Sequence, residues 1–408
     1  MKFLLLNGHG ISMKVDRAHL HITDGRFSTE EEPAKYVFHP QRIDIDSIVI
    51  YGRSGNLSLE AIRWLVKHNV QVSVLDWDGT MLTTMLPPES VQVKTKFAQY
   101  RAFDDKKLRL KLAKKFIESK FDRSQIVLDY LHQRYPDVDP EIPYEPKNLK
   151  DAKLIREVMG VEGAVAQHYW KQFAKVIPEE YEFESRTGRY HTRPSGAGGD
   201  QVNCMLNYGY ALLEAECLRV INSVGLDAHV GFLHEMQSGK NSLAYDMQEL
   251  FRFLVDLAVV NLVEREAMTA KDFVRTESYA LRLRPTGARK MTEEVNAWFN
   301  KTVEYQGKEL MWSYVMVLKG RELAHYLTGK KQSLCFMKPE YQVDRVDTDD
   351  VRRKILSISY ADWKKLGFSK GSLHYMKKNA ESEKPFSLNQ HVVERLMQWD
   401  QLKETLTV

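Results

Sequence analysis

At 408 residues and 47.4 kDa the chain is long enough for about two to four domains of roughly 100–200 residues each. Its 43% hydrophobic and 28% charged residues are an ordinary globular composition, able to bury a sizeable core. Lys plus Arg number 59 against 55 Asp plus Glu, and the net charge of +4 cannot by itself argue for a nucleic-acid partner, so the placement of charge must decide.

The opening apolar run Phe3-Leu4-Leu5-Leu6 is too short for a signal peptide and is ended by Asn7-Gly8. Strand-like segments rich in β-branched or aliphatic residues follow at Lys2–Leu6, Ser12–Thr23, Ser47–Tyr51 and Val70–Leu75. One helix interrupts them over Ser58–His68, where Leu59, Ile62, Leu65 and Val66 recur at helical spacing and Ser58 is the expected N-cap. Pro87-Pro88 closes this region.

From Val91 the period becomes helical, with Leu108, Leu112 and Phe116 on one face. Residues 94–123 hold eleven Lys/Arg and four Asp/Glu, a local excess of +7 that suits either a solvated helix face or a DNA-facing one. Tyr135–Pro146 reads as a loop. Helices are expected over Asp151 to about Lys175, Asn203–Val224, Leu243–Glu266 and Thr292 to about Thr328. The Gly-, Pro- and Arg-containing stretch Arg186–Gly199 reads as an exposed basic loop. The longest apolar stretch, Phe253–Val263, is broken by Asp256 and Asn261 and falls short of the ~20 residues of a membrane helix. Cys204, Cys217 and Cys335 form no Cys-x-x-Cys pair, which speaks against a disulfide framework or a thiolate zinc site and for a reducing cytoplasm.

Val343–Asp350, with four aspartates, reads as a linker. Beyond it, residues 351–380 carry eight Lys/Arg and one acid, Asp362. Tyr360 to Lys378 has the pattern of a helix-turn-helix. Trp363 and Leu366 would pack its first helix and Gly367 would allow the turn. Ser369 would cap a second helix presenting Lys370, His374, Lys377 and Lys378 to DNA. Phe386, Leu388, Val392, Val393 and Leu396 would cover the small core. The expected fold is therefore α+β: a small β-rich N-terminal domain over 1–90, a large all-helical domain over 91–342, and a helix-turn-helix over 351–408.

Ile155, Val158, Glu162, Val165 and Tyr169 follow a 3-4-3-4 spacing and form one helical stripe. A carboxylate inside an apolar stripe is costly unless paired, so Glu162 is a partner in a buried ion pair, a helix-edge residue, or a ligand. His234 ends an apolar segment and reads as a packed histidine or a functional one. Asp246 and Glu249 are i,i+3 neighbours whose like charges repel unless a cation lies between them; placement in a helix's N-terminal turn, where the dipole favours acids, is the alternative. Glu162, His234 and Glu249, with Asp246 alongside, make a candidate metal site. Carboxylates plus an imidazole, without thiolate, suit Mg²⁺ or Mn²⁺. Such an ion activates an attacking oxygen and stabilises charge on a phosphodiester. Arg252 and Lys240 are placed to neutralise adjacent phosphates.

A series of segments in this order resembles the CRISPR-associated integrase (Cas-one) family. They are Ile50-Tyr-Gly-Arg-Ser-Gly-Asn-Leu-Ser, Asp76-Trp-Asp-Gly79, Gln99-Tyr100, Gly160-Val-Glu162 to Tyr169, Val202-Asn203 to Gly209-Tyr210, Gly225 to His234, and Asp246-x-x-Glu249. The resemblance covers roughly residues 1–330. It implies a β-rich domain that dimerises, a helical catalytic domain with Glu162, His234 and Glu249 as metal ligands, and joining of a DNA 3′-OH end to a target strand by transesterification. The last acid is often Asp in the family and is Glu249 here, a longer arm with the same ligand chemistry. The appended helix-turn-helix resembles the casposase branch.

The leading expectation is a casposase-like, divalent-metal-dependent integrase. It would be a homodimer or higher oligomer on double-stranded DNA, cytoplasmic and nucleoid-associated when bound. DNA would be held by the basic helix 94–123, by Arg186, Arg189 and Arg193, and by the C-terminal unit. A CRISPR spacer-acquisition integrase with a small Cas-two partner is the second reading, and a non-catalytic helix-turn-helix regulator the third.

Overall fold

The computed structural model describes residues 3–26, 32–40, 42–76, 79–87, 92–186, 199–275, 281–338, 348–381 and 395–396. The first region is a six-stranded mixed sheet in the order β3-β2-β1-β4-β5-β6. Its strands are β1 (Phe3–Asp16), β2 (His19–Thr23), β3 (Lys35–Phe38), β4 (Ser47–Leu57), β5 (Gln71–Leu75) and β6 (Met81–Met85). The single strand expected over Ser12–Thr23 is a hairpin, because Arg17 and Ala18 both adopt positive φ and reverse the chain. Helix α1 (Leu59–Lys67) crosses from β4 to the parallel β5, and the Ser58 side chain caps it by accepting from the Ala61 amide at 3.1 Å.

Alternation along the strands gives the sheet two buried faces. Leu6 and Ile48 point to α1 and join Ala61, Trp64 and Leu65 in one cluster. Phe3, Leu5, Val49 and Leu75 point the other way, into the core of the helical region, where the Phe3 ring meets Phe299. The Gln71 amide reaches across to donate to the Ala215 carbonyl at 2.9 Å.

The helical region comprises α2 (Val93–Asp104), α3 (Lys106–Arg134), α4 (Pro146–Asp151), α5 (Ile155–Ala174), α6 (Gln201–Ser223), α7 (Ser242–Gln248), α8 (Arg252–Glu264), α9 (Pro285–Asn300) and α10 (Trp312–Leu327). The basic segment 94–123 is two helices, not one, since Asp105 ends α2 and caps α3 by accepting from the Lys107 and Leu108 amides. The helix expected over Leu243–Glu266 is likewise two, with a turn at Glu249–Phe251 where Phe251 leaves helical geometry. The region is not all-helical. It carries the hairpins β7 (Phe273–Arg275) with β8 (Leu281–Leu283), and β9 (Thr302–Tyr305) with β10 (Lys308–Met311). The second hairpin splits the helix expected over Thr292–Thr328, its turn made by Gln306 and Gly307 at positive φ.

At the core's centre, α6 packs against α8 and α9 at Gly209. A methyl group there would lie 2.5 Å from Val255 and 2.7 Å from Met291. No described helix is long and apolar enough to cross a membrane.

The C-terminal unit holds α11 (Thr348–Ser357), α12 (Tyr360–Lys365) and α13 (Lys370–Glu381) around its own cluster of Val351, Ile355, Trp363, Leu366, Leu373 and Leu396. Its first helix begins at Thr348, inside the segment expected to be linker. Gly367 makes the turn at φ +90°, and Ser369 accepts from the Ser372 amide at 3.1 Å, as the sequence pattern predicts. Phe386, Leu388, Val392 and Val393 lie outside the described residues.

Candidate functional site

The stripe of α5 buries Val158, Val165 and Tyr169 against the core, which carries Glu162 inward with them. Helix α3 does the same with an opposite charge. Its buried face runs through Leu112 and Phe116, and Lys120 follows one turn on. The two helices pack together, and the Lys120 Nζ lies 2.6 Å from Glu162 Oε1 and 2.9 Å from Glu249 Oε2. The ion-pair reading of Glu162 is thus realised, with Lys120 as a partner that the sequence reading missed. The signal was present: Lys120 sits in an apolar stripe just as Glu162 does.

Glu249 occupies the turn between α7 and α8 and is 4% exposed. Burial opposes its charge, but Arg252, Lys120 and His234 outweigh burial and hold the carboxyl down at about 2. Burial also works against the Lys120 ammonium, and Glu249 and Glu162 overcome it, so the lysine pKa is raised.

Asp246, on α7, is fully buried and engages the 232–234 segment. It accepts from the backbone amides of Phe232, Leu233 and His234, and its Oδ1 lies 2.8 Å from His234 Nδ1. The wrap of the 231–234 segment around this carboxylate requires Gly231, since a Cβ there would sit 2.8 Å from the Ser242 carbonyl and 2.9 Å from Asp246 Oδ2. Asp246 therefore needs no cation shared with Glu249: it serves to hold His234. With Nδ1 as donor to Asp246, the imidazole presents a basic Nε2.

Arg252 lies 3.4 Å from Glu249 Oε1 and stacks over Tyr210 at 4.8 Å. Tyr210 and Tyr169 both donate to the buried Asp256. Arg186 also lies over the Tyr210 ring, at 5.3 Å, and donates to Asn203 and Asn207. Arg186 is thus turned inward rather than exposed, and burial lowers its pKa. A cavity of about 200 Å³ lined by Lys120, Glu162, Glu249, Arg252 and Arg186 opens here, beside a cleft of about 640 Å³ that shares Tyr210 and both arginines.

The structure brings Glu162 and Glu249 together through Lys120 and places His234 close enough to act on Glu249 electrostatically. Among the described residues, no three His, Cys, Asp or Glu side chains close around one point at metal-ligand spacing. Two carboxylates already sharing one cation, beside an imidazole with Nε2 available, nevertheless form a donor set suited to a hard divalent ion. Lys240 is exposed, two residues before α7. Arg189 and Arg193 lie outside the described residues. Ser369, Lys370, His374 and Lys378 are exposed on or beside α13, whereas the Lys377 ammonium folds back to the Leu356 carbonyl at 3.0 Å.

The fold brings the carboxylates of Glu162 and Glu249 and the guanidinium groups of Arg186 and Arg252 to one cavity, the charge pattern that handling a phosphate through a metal ion calls for. The sequence matches the family described as CRISPR associated protein Cas1 over residues 11–297, and the chain belongs to that family of DNA-cleaving and DNA-joining enzymes. It is similar to a solved casposase bound to integration product, at 63% identity and TM-score 0.81, over 88% of this chain and 100% of that one. Archaeoglobus fulgidus CRISPR-associated endonuclease Cas1 1 is 32% identical over 71% of this chain and 88% of its own length. A CAS1 protein from Thermotoga maritima shares the fold at TM-score 0.67 with 20% identity, over 80% of this chain and 97% of that one.

Proposed function

We propose that this chain is a casposase-like integrase that joins the 3′-OH end of a donor DNA to a target strand by transesterification. The observation carrying the site assignment is the Lys120 Nζ held between Glu162 and Glu249, beside the Asp246-oriented His234. Greater identity to the casposase, 63%, than to the Archaeoglobus Cas1, 32%, favours transposon-type integration over spacer acquisition. The comparisons offer no support for a non-catalytic regulator.

Glu162, Glu249 and the Nε2 of His234 would hold Mg²⁺ or Mn²⁺. The ion supplies Lewis-acid activation of the attacking hydroxyl and neutralisation of charge at phosphorus. Asp246 fixes the His234 ring and its tautomer. Arg252 and Arg186, held against Tyr210, would present guanidinium charge to the phosphate. One phosphodiester is exchanged for another, so no nucleotide hydrolysis is required: the donor 3′-oxygen bonds to phosphorus, and the displaced target 3′-oxygen leaves with a proton. The exposed basic residues of α2 and α3 would carry duplex DNA. Residues 348–408 would read DNA as a helix-turn-helix, and the sheet region would mediate dimerisation.

A donor oligonucleotide ending in a dideoxynucleotide tests the reaction. It should not be joined, while the hydroxyl-ended donor is joined without ATP. Joining of the dideoxy donor, or strict ATP dependence, would contradict the proposal.

A further inference from the structure

Two mostly buried carboxylates cannot sit side by side without a counter-charge, because burial leaves their repulsion poorly screened. In this protein the counter-charge is built into the chain. Lys120 is 21% exposed, Glu162 15% and Glu249 4%, so the three charges meet largely out of water. We infer that Lys120 is the resident counter-ion of the Glu162–Glu249 pair, and that a divalent ion enters this site by exchanging with the Lys120 ammonium.

The inference rests on the reading of this site as a metal centre and adds a cost to metal entry. A hard divalent ion bound by both carboxylates would compete with Nζ for Glu162 Oε1 and Glu249 Oε2, the more so because Glu249 Oε1 already faces Arg252 at 3.4 Å. Lys120 is suited to leave, because its ammonium is a point charge on a flexible four-carbon stem. Arg252 is not, being stacked on Tyr210 and hydrogen-bonded to Gln248. The lysine also lines the cavity, so its released charge has space to move into. Before exchange the two carboxylates share the Lys120 charge, with Arg252 beside Glu249 alone; after it they share a divalent one, and the Lys120 ammonium is freed to face an anion. Lys120 is therefore a positioning residue: it holds the two carboxylates together in the metal-free protein and competes with the ion for them.

The test is Mn²⁺ binding to the full chain, followed by the electron paramagnetic resonance of the free ion, for wild type, Lys120→Gln and Lys120→Arg. Removing the competitor should tighten Mn²⁺ binding in Lys120→Gln about tenfold, the equivalent of ~1.4 kcal/mol. Lys120→Arg, which keeps the charge, should not tighten it. Binding to Lys120→Gln no tighter than to wild type, or equal tightening in both variants, would overturn the inference.

If the Gln variant does not fold, acetylation of Lys120 in the wild type, read by mass spectrometry, decides. Its labelling should rise when Mn²⁺ is added, and unchanged labelling contradicts exchange. Glu162→Gln is the control for the underlying reading. If wild type and Glu162→Gln bind Mn²⁺ equally, the metal centre itself is misassigned and the exchange falls with it. If Glu162→Gln alone loses binding and the lysine variants behave as wild type, only the exchange fails.

Discussion

His234 Nδ1 lies 2.8 Å from Oδ1 of Asp246, and the same carboxylate receives three consecutive backbone amides, from Phe232 to His234. The aspartate therefore fixes both the ring and the main chain that carries it. A histidine so held has one tautomer and one direction, which is what a ligand or a proton-handling group needs.

Asp246→Asn should damage both functions of that carboxylate. The amide nitrogen cannot accept from the buried backbone N–H groups, so stability should fall by about 1–3 kcal/mol. Loss of the imidazole's orienting partner should reduce metal affinity or joining by about 10–100-fold. Denaturant melts and joining assays on the same preparation check the two effects. A variant with wild-type stability and wild-type joining would remove Asp246 from the site.

Glu162→Gln, Glu249→Gln and His234→Ala should each reduce strand joining by at least about a hundredfold while DNA binding persists. On the proposed function, bulk affinity would come from exposed basic side chains such as Lys106, Lys107 and Lys111 on α3, which these changes do not touch. The measurement pairs a joining assay with a salt-dependent binding titration. Full joining by any of the three variants in Mn²⁺ would exclude that residue as a ligand.

Much of this site was legible because charges in apolar stripes are conspicuous. Glu162 stands out between Val158 and Val165, and Lys120 stands out equally one turn after Phe116. Lys120 was hidden only by the ten other basic residues around it within 94–123. The break between α7 and α8 left no mark, since Leu250-Phe251 carries no Gly or Pro and continues the apolar pattern. Tertiary contacts there, including Gln248 donating to the Tyr210 carbonyl, accompany a geometry that local propensity does not specify. The β9–β10 hairpin did carry a signal, Gln306-Gly307 between alternating residues, but the flanking helical patterns masked it.

Stability should also depend on pH through Glu264, near the end of α8. Burial pushes its carboxyl up to about 7 from an ordinary 4.5, against the opposing pull of Arg134 and hydrogen bonds from Tyr135 and Tyr130. The folded state thus holds a proton that the unfolded chain has already released. The associated stability is complete below about pH 4.5 and is lost as pH rises through about 7. Glu264→Gln keeps the shape without the titration. It should gain on wild type above pH 7 by up to roughly 3 kcal/mol, the difference shrinking as the pH falls toward 4.5. Urea titrations at several pH values read this directly, and a pH-independent difference would contradict it.

Removing residues 348–408 should leave the carboxylate site whole and change where integration occurs. The C-terminal unit folds around its own cluster, in which Trp363 is fully buried and donates to Ser372 at 3.0 Å, bracing α12 against α13. In a helix-turn-helix the first turn of the second helix meets base edges, and that turn here bears Ser369, Lys370 and His374, all exposed. Substituting Lys370 or His374 should therefore alter the target sequences chosen. Substituting Lys378 should weaken binding uniformly and lower the salt slope by about one unit. Lys377 should do less, because its ammonium is engaged by the C-terminal carbonyl of α11 at Leu356. Sequencing integration sites on one plasmid for full-length, truncated and substituted proteins separates these effects. Identical site distributions with and without residues 348–408 would place target choice in the core of the enzyme and leave this unit a different role.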